Sequence, residues 1–514
     1  MGPAGFRRAV MLGGLFGGIH ALLLLHWLPE AGVPLLGWPT AIPAAVAVWA
    51  LNGALVAVVL GAVHRLRSPR RLRAMPVPGI PVPISLAAGW VVLGSLPASI
   101  PGVGFPWLGP EASLVEAPSL LAASPWVGGA GVAGLLAFSG AALGRVLAMP
   151  GSGSAGSGLP TRLRWLVAAF LPWGLLWAAM SFGLSGGEGR DGRGAGPLEG
   201  PGPVAAHQAP LLRVAALSVE ADPGLLVDAE ARTRILMERL DDLTGLLAKG
   251  EVDVVVWPES PTGTFHPPLE ESAAVRWSQA LEVPVLFGAL QGPARRNLVL
   301  AADPSGGLSP VREKRRLVPL VEGWNPGASW RSSGVFLLPV VPEGLPHGGS
   351  PGPEEIQARP GSTGVPVGAL ICFEALFGDE GRALRRGGAR VLVLPSNEGW
   401  LAGVGVADAA RRQHRSAAAL RARELALPVI RSAVGGAAGV WDVHGREVGG
   451  EVRVIPGVGS VMVAAVAVGP AGVPPGSSGG AGAVTLVAGL VLLLAFAPRS
   501  AGPPVRRSAG PPAP

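Results

Sequence analysis

Gly368-Ala369-Leu370-Ile371-Cys372-Phe373-Glu374-Ala375-Leu376-Phe377 is an apolar run that ends in a cysteine and then changes period. Residues 365–372 read as a buried strand, and the residues after Cys372 as the start of a helix. A strand turning sharply into a helix exposes the side chain at the elbow and aims backbone N–H groups at it. Cys372 is the one cysteine in 514 residues, which excludes a disulfide within the chain and a zinc site built of several thiolates. An isolated cysteine on an apolar strand is ordinarily a structural core residue, so the neighbouring segments decide its meaning.

Outward from this elbow, short apolar or β-branched runs at 212–219, 252–257, 283–290, 297–302, 390–395, 428–434 and 460–467 predict further strands. Two segments repeat apolar residues with helical period. One is 225–248, with Leu226, Ile235, Leu236, Leu240, Leu243 and Leu247, and the other is the Ala-rich 407–427. Alternating α and β elements over just under 300 residues predict a layered α/β domain with a sizeable core. The Pro-, Gly- and Ser-rich stretch 341–364 reads as a loop.

Two other segments bear on the thiol. Strand 252–257 runs into Trp257-Pro258-Glu259-Ser260, which places a carboxylate just past a strand end, where it can act as a general base. Residues 312–319, Arg-Glu-Lys-Arg-Arg-Leu-Val-Pro, set Lys314 among arginines. Each has a plain reading, a surface turn and a solvated basic face. Lys249 and Lys314 are the only lysines among 41 basic residues, however, which gives Lys314 weight. Glutamate, lysine and cysteine form a coherent set: the carboxylate takes the thiol proton, the ammonium favours the thiolate and holds an oxyanion, and sulfur attacks a carbonyl. The histidines show no H-x-H or H-x-x-x-H spacing and there is no G-x-S-x-G elbow, so a metal hydrolase lacks its ligands and a serine triad its nucleophile.

A composition of 49% hydrophobic and 15% charged residues is too apolar for an average soluble protein. Apolar stretches at 9–28, 41–63, 82–100, 126–148 and 163–184, and a sixth at 480–497, each reach or approach the ~20 residues a bilayer requires. Basic residues cluster at Arg7 and Arg8, at Arg65, Arg67, Arg70, Arg71 and Arg73, and at Arg162 and Arg164, whereas 29–40 and 101–125 have none. An excess of Arg in alternate loops puts the N-terminus inside, residues 185–478 outside and the tail back inside. The net charge of +7 is therefore a topology signal and not a nucleic-acid footprint. The expected divisions are a membrane domain at 1–184, a linker at 185–210, a catalytic domain at 211–475, a final span at 480–497 and a tail at 498–514. A free thiol kept in an outside-facing domain is exposed to oxidants, which favours a functional Cys372.

WPES, REKRRLVPLVE and ICFEALF, in this order, resemble the nitrilase superfamily. With the spans, GFPWLGPEAS at 104–113, VLVLPSNEGW at 391–400 and RARELALPVIRS at 421–432, the chain is similar to the apolipoprotein N-acyltransferases of bacterial membranes. The resemblance implies a multi-span α-helical membrane domain joined to a nitrilase-like α-β-β-α sandwich. It implies Glu259 as base, Lys314 as oxyanion-stabilising cation and Cys372 as nucleophile, with Glu322, Glu374, Phe373, Asn397 and Trp400 in support and neither metal nor cofactor. The implied reaction passes an acyl chain from a phospholipid, through a Cys372 thioester, to the amine of a lipoprotein's diacylglyceryl cysteine. The implied location is the inner membrane, with the catalytic domain on the periplasmic or outer face. Departures are an N-terminus that starts at the equivalent of a third span, Phe373 for Tyr, Glu398-Gly399 for Asp-Ala, and a missing asparagine in RSAVGG. A membrane-tethered amidohydrolase and a non-catalytic paralogue are the alternatives.

Overall fold

A computed structural model of the chain describes residues 3–66, 81–99, 105–107, 109–149, 159–181, 210–221, 229–259, 272–291, 296–318, 354–356, 364–401, 405–471, 484–485 and 487–488. The linker, Glu322 and most of the expected 480–497 span lie outside these residues. The N-terminal part is helical: α1 (Pro3–Leu24), α2 (Leu28–Leu36), α3 (Trp38–Leu66), α4 (Val82–Ser99), α5 (Ser124–Leu147) and α6 (Leu159–Ser181). Among the described residues Ala4–Leu24, Trp38–Arg65 and Ser124–Leu147 are long and apolar enough to cross a membrane, and Val82–Ser95 is a shorter apolar helix. Short 3-10 helices at Pro110–Glu116 and Pro118–Leu121 lie between α4 and α5.

The second part contains β1 (Leu211–Val219), α7 (Ala229–Thr244), β2 (Val254–Val256), α8 (Ala273–Leu281), β3 (Val285–Gln291), β4 (Arg296–Ala302), β5 (Leu308–Glu313), β6 (Glu354–Ile356) and β7 (Val365–Ala369). After these come α9 (Gly378–Arg386), β8 (Val391–Asn397), α10 (Ala407–Leu425), β9 (Val429–Val434), β10 (Gly439–Trp441), β11 (Glu451–Ile455) and β12 (Gly459–Ala467). Strands β5-β4-β3-β2-β1-β12-β11 form one leaf and β6-β7-β8-β9-β10 the other. They join where Ser218 and Val219 of β1 pair with Ala433 and Val434 of β9.

Alternation along each strand makes the layers. Leu212, Val214 and Ala216 of β1 meet Val367 and Ala369 of β7, Val391 and Val393 of β8 and Ile430 of β9 in a core between the leaves. The intervening Ala215 and Leu217 face α7 and α8 on one outer side. Leu392 and Leu394 face α10 on the other. Helix, sheet, sheet and helix stack as the α-β-β-α sandwich that the resemblance implied.

Several boundaries differ from the sequence reading. The strand expected to run to Cys372 ends at Ala369, because Cys372 opens a 3-10 turn over Cys372–Leu376. Within 341–364, read as loop, Glu354–Ile356 forms β6 against β7. Strand β5 escaped notice because Pro310 and its charges break the apolar pattern. It is the outermost strand of its leaf, where a missing N–H is tolerated, and its register shifts at Val299/Leu300. The helix expected directly after Cys372 begins only at Gly378, as α9, and the short amphipathic α8 has no counterpart in the sequence reading.

Candidate active site

Each candidate catalytic residue sits just beyond the end of a strand. Glu259 follows β2 through Trp257-Pro258, and this segment is fastened on both sides. The Trp257 N–H donates to Leu286 O at 2.8 Å, its indole N–H to Thr244 Oγ1 at 3.1 Å, and Ser432 Oγ donates to Trp257 O at 2.8 Å. Pro258 has no N–H to give the ladder, but its carbonyl still accepts from the Gly288 N–H at 3.2 Å, which holds Glu259 at the end of the sheet.

Lys314 follows β5 and is 1% exposed. Its Nζ donates to Glu259 Oε1 at 2.7 Å, and Asn297 Nδ2 donates to the same oxygen at 2.8 Å. The Lys314 N–H also bonds Asn297 O at 2.8 Å. The basic run is thus not a uniform solvated face. Strand alternation buries Arg312 and Lys314 and leaves Arg315 and Arg316 partly exposed, reaching Glu380 and Asp379.

Cys372 lies beyond β7 with φ of +50°, a left-handed conformation that costs a residue with a β-carbon about 1–2 kcal/mol. The expected elbow is present. The expected exposure is not, because Cys372 is 9% exposed and packs into the core between the leaves. Two residues on, Glu374 has no exposure and accepts from both neighbouring segments. The N–H groups of Ile371 (2.9 Å) and Arg315 (2.7 Å) point at its carboxylate, and Arg312 Nη2 lies 3.1 Å from Oε1. One carboxylate therefore binds the turn carrying Cys372 to the residue after Lys314. Glu380 also receives Arg312, Arg315 and Arg316. Burial pushes its carboxyl up, but the three guanidiniums outweigh that and hold it below the usual range.

Asn397, at the end of β8, donates to Glu259 O at 3.4 Å and accepts from the Gly399 N–H at 3.1 Å, which makes it a brace for the Glu259 backbone. Trp400 lies apart from the carboxylates. It packs with Leu25, Trp27, Phe105 and Trp107 where the sandwich meets the N-terminal helices. Phe373 lies under the same aromatic group, 6.1 Å from Phe105 and 6.3 Å from Trp107 between ring centroids. Gln413 of α10 fastens this junction, since its Oε1 accepts the indole N–H of Trp27 (3.0 Å) and Trp107 (2.8 Å) and its Nε2 donates to Leu24 O (2.8 Å).

Asn297, Arg312, His414 and Arg431 were not picked out from sequence. The available signal was a polar residue in an otherwise apolar strand, as in Asn297-Leu298-Val299-Leu300 and Val429-Ile430-Arg431, since a polar group there requires a partner. Among the described residues no three His, Cys, Asp or Glu side chains converge as metal ligands do.

Residues 3–142 match the family model described as the apolipoprotein N-acyltransferase N-terminal domain. The chain is 30% identical over 305 residues to the apolipoprotein N-acyltransferase of Bradyrhizobium diazoefficiens, covering 53% of this chain and 52% of that one. It is 26% identical over 272 residues to the apolipoprotein N-acyltransferase of Chlorobaculum tepidum, covering 47% and 49%. It thus spans about half the length of these curated relatives. Among solved structures, the C. elegans NitFhit protein aligns with TM-score 0.37 and 16% identity over 50% of this chain and 61% of that one. A carbon-nitrogen hydrolase from Helicobacter pylori G27 aligns with TM-score 0.35 and 14% identity over 50% and 89%.

Proposed function

We propose that this chain, a relative of the apolipoprotein N-acyltransferases, moves an acyl chain from a membrane phospholipid to the N-terminal amine of a diacylglyceryl-cysteine lipoprotein, with Cys372 as the covalent carrier. The observation that carries this reading is the buried Lys314–Glu259 contact at 2.7 Å, bound through Glu374 to the turn that presents Cys372.

In the first half-reaction Glu259 takes the Cys372 proton and the thiolate attacks the phospholipid ester carbonyl. Lys314 Nζ holds the oxyanion of the tetrahedral adduct. The C–O bond breaks, the lysophospholipid oxygen leaves with the proton from Glu259, and a thioester remains. In the second, the lipoprotein amine attacks the thioester, Glu259 takes a proton from the nitrogen, and the C–S bond breaks to release the thiolate. Ping-pong kinetics follow. Both substrates are membrane-anchored, and the Phe105–Trp107 loop from the apolar helices lies against Phe373, the neighbour of Cys372. The arginine-bearing alternate loops favour an outer-face site on a bacterial inner membrane.

The test is mass spectrometry of a reporter lipoprotein's N-terminus in cells with and without this chain. A third acyl chain present only with the chain supports transfer. An unmodified amine, together with release of free fatty acid, favours instead hydrolysis of the thioester by water.

A further inference from the structure

A buried polar chain that the proposed chemistry does not use reaches Cys372 from α10. His414, 3% exposed, has Nε2 3.0 Å from the carbonyl oxygen of Cys372 and Nδ1 2.5 Å from Glu398 Oε1. The Cys372 carbonyl oxygen can only accept, so Nε2 is the donor in that contact. Arg431 of β9, with no exposure, pairs with the same Glu398 oxygen and donates to Ala437 O. Burial pushes the Glu398 carboxyl up, but Arg431 and His414 outweigh it and bring it down to about 2, so the carboxylate stays ionised. Trp107 covers the His414 ring, with centroids 5.8 Å apart and planes at 30°.

This chain ends on a strained peptide. A residue with a β-carbon stays at a φ of +50° only where its surroundings over-determine it. Relaxation out of the left-handed region swings the peptide groups on either side. A donor fixed on the Cys372 carbonyl opposes that swing, just as Glu374 opposes it by holding the Ile371 N–H at 2.9 Å. A histidine serving only as core filler needs neither the ionised Glu398 behind it nor a nitrogen on this one carbonyl.

We propose that His414, held by Glu398 and Arg431, is a positioning residue that locks the Cys372 peptide in its left-handed conformation and so aims the thiol at the Lys314–Glu259 pair. The proposal rests on the reading of Cys372 as the acyl-accepting nucleophile.

The test uses the full chain in detergent micelles, where the lone cysteine makes any thiol label specific. Acyl-enzyme formation is followed with a phospholipid carrying a labelled acyl chain, iodoacetamide alkylation is followed against pH, and folded fraction is followed by thermal unfolding. His414→Ala is expected to slow acylation at saturating phospholipid about tenfold to a hundredfold, with KM within about threefold, and to displace the alkylation pH profile. His414→Gln keeps an amide N–H for the Cys372 carbonyl and should recover to within about tenfold of wild type. A folded His414→Ala that acylates within about twofold of wild type overturns the proposal, as does equal loss in both variants with an unmoved alkylation profile. If His414→Ala does not fold, Glu398→Asp decides. Withdrawing the carboxylate by one methylene should slow acylation about threefold to tenfold, and an unchanged rate overturns positioning. Wild-type chain that never acylates, yet alkylates with a His414-dependent pH profile, removes the acyl-transfer reading and leaves the positioning role standing.

Discussion

Lys314 Nζ and Glu259 Oε1 lie 2.7 Å apart at 1% and 4% side-chain exposure, joining the end of β5 to the end of β2 across 55 residues of sequence. A pair buried this deeply is a weak source of net stability, because desolvation of both ions offsets their attraction. In the proposed mechanism its value is chemical, since it sets a proton acceptor and a fixed cation side by side.

Replacing Lys314 by Arg keeps the charge but not the geometry, because a planar guanidinium needs more room and spreads its charge over five donors. Acyl-enzyme formation is expected to fall by about a hundredfold or more in Lys314→Arg. Stopped-time labelling with a phospholipid donor measures it. A rate within a few-fold of wild type would show the ammonium to be replaceable.

Cys372→Ala should abolish acylation, and Cys372→Ser should leave at most a trace, since an alkoxide is far costlier to form than a thiolate. Intact-protein mass spectrometry after exposure to donor lipid reads the adduct directly. An acyl adduct on either variant would mean that sulfur is not the carrier.

Removing Glu374 takes one of two carboxylates from Arg312, which keeps Glu380, and leaves the N–H groups of Ile371, Arg315 and Arg316 without their shared acceptor. Glu374→Ala should cost about 1–3 kcal/mol, the range for buried donors left without an acceptor, and should loosen the link between Lys314 and Cys372. The expected signature is a lower unfolding midpoint together with acylation that stays slow in the folded fraction at low temperature. Full activity in that fraction would make Glu374 a structural residue only.

The Glu398 carboxyl sits at about 2 against an ordinary 4.5, and the groups facing it are Arg431 and His414. A depressed carboxyl contributes stability that is whole above pH 4.5 and is lost as pH falls toward 2. The contribution is on the order of 3 kcal/mol. Thermal unfolding from pH 7 to pH 2 should therefore show wild type ahead of Glu398→Gln at neutral pH, with the gap closing below pH 4.5. A gap constant across that range would contradict the assignment.

Gly436 faces the same carboxylate, and an added β-carbon would lie 2.0 Å from Glu398 Oε2. The carboxylate cannot retreat without breaking its contacts to Arg431 and His414. Gly436→Ala should therefore destabilise by about 1–3 kcal/mol and slow acylation as the His414 variants do. Differential scanning fluorimetry alongside the acylation assay tests both parts.

Legibility in the sequence followed the range of each interaction. Strands such as Val391–Asn397 and helices such as Ala407–Leu425 announce themselves because periodic burial is a property of a dozen adjacent residues. Glu259, Lys314 and Cys372 were nameable because each follows a strand or stands out by scarcity. Pro310 hid β5 because the sequence alone does not reveal that its strand lies at an edge.

By itself, the sequence determined the apolar helices and the alternating layers and pointed to the proposed chemistry, since composition, period and residue type carry these without reference to distant contacts. Only the tertiary structure decided which charges of 312–316 are buried, that Cys372 sits in a left-handed turn and is enclosed, and that Glu398, His414 and Arg431 converge behind it. The reason is that a charge is stable inside a protein only beside its partner. Those partners, His414 for the Cys372 carbonyl 42 residues away and Glu374 for Arg312 62 residues away, meet only when the leaves and their helices have packed.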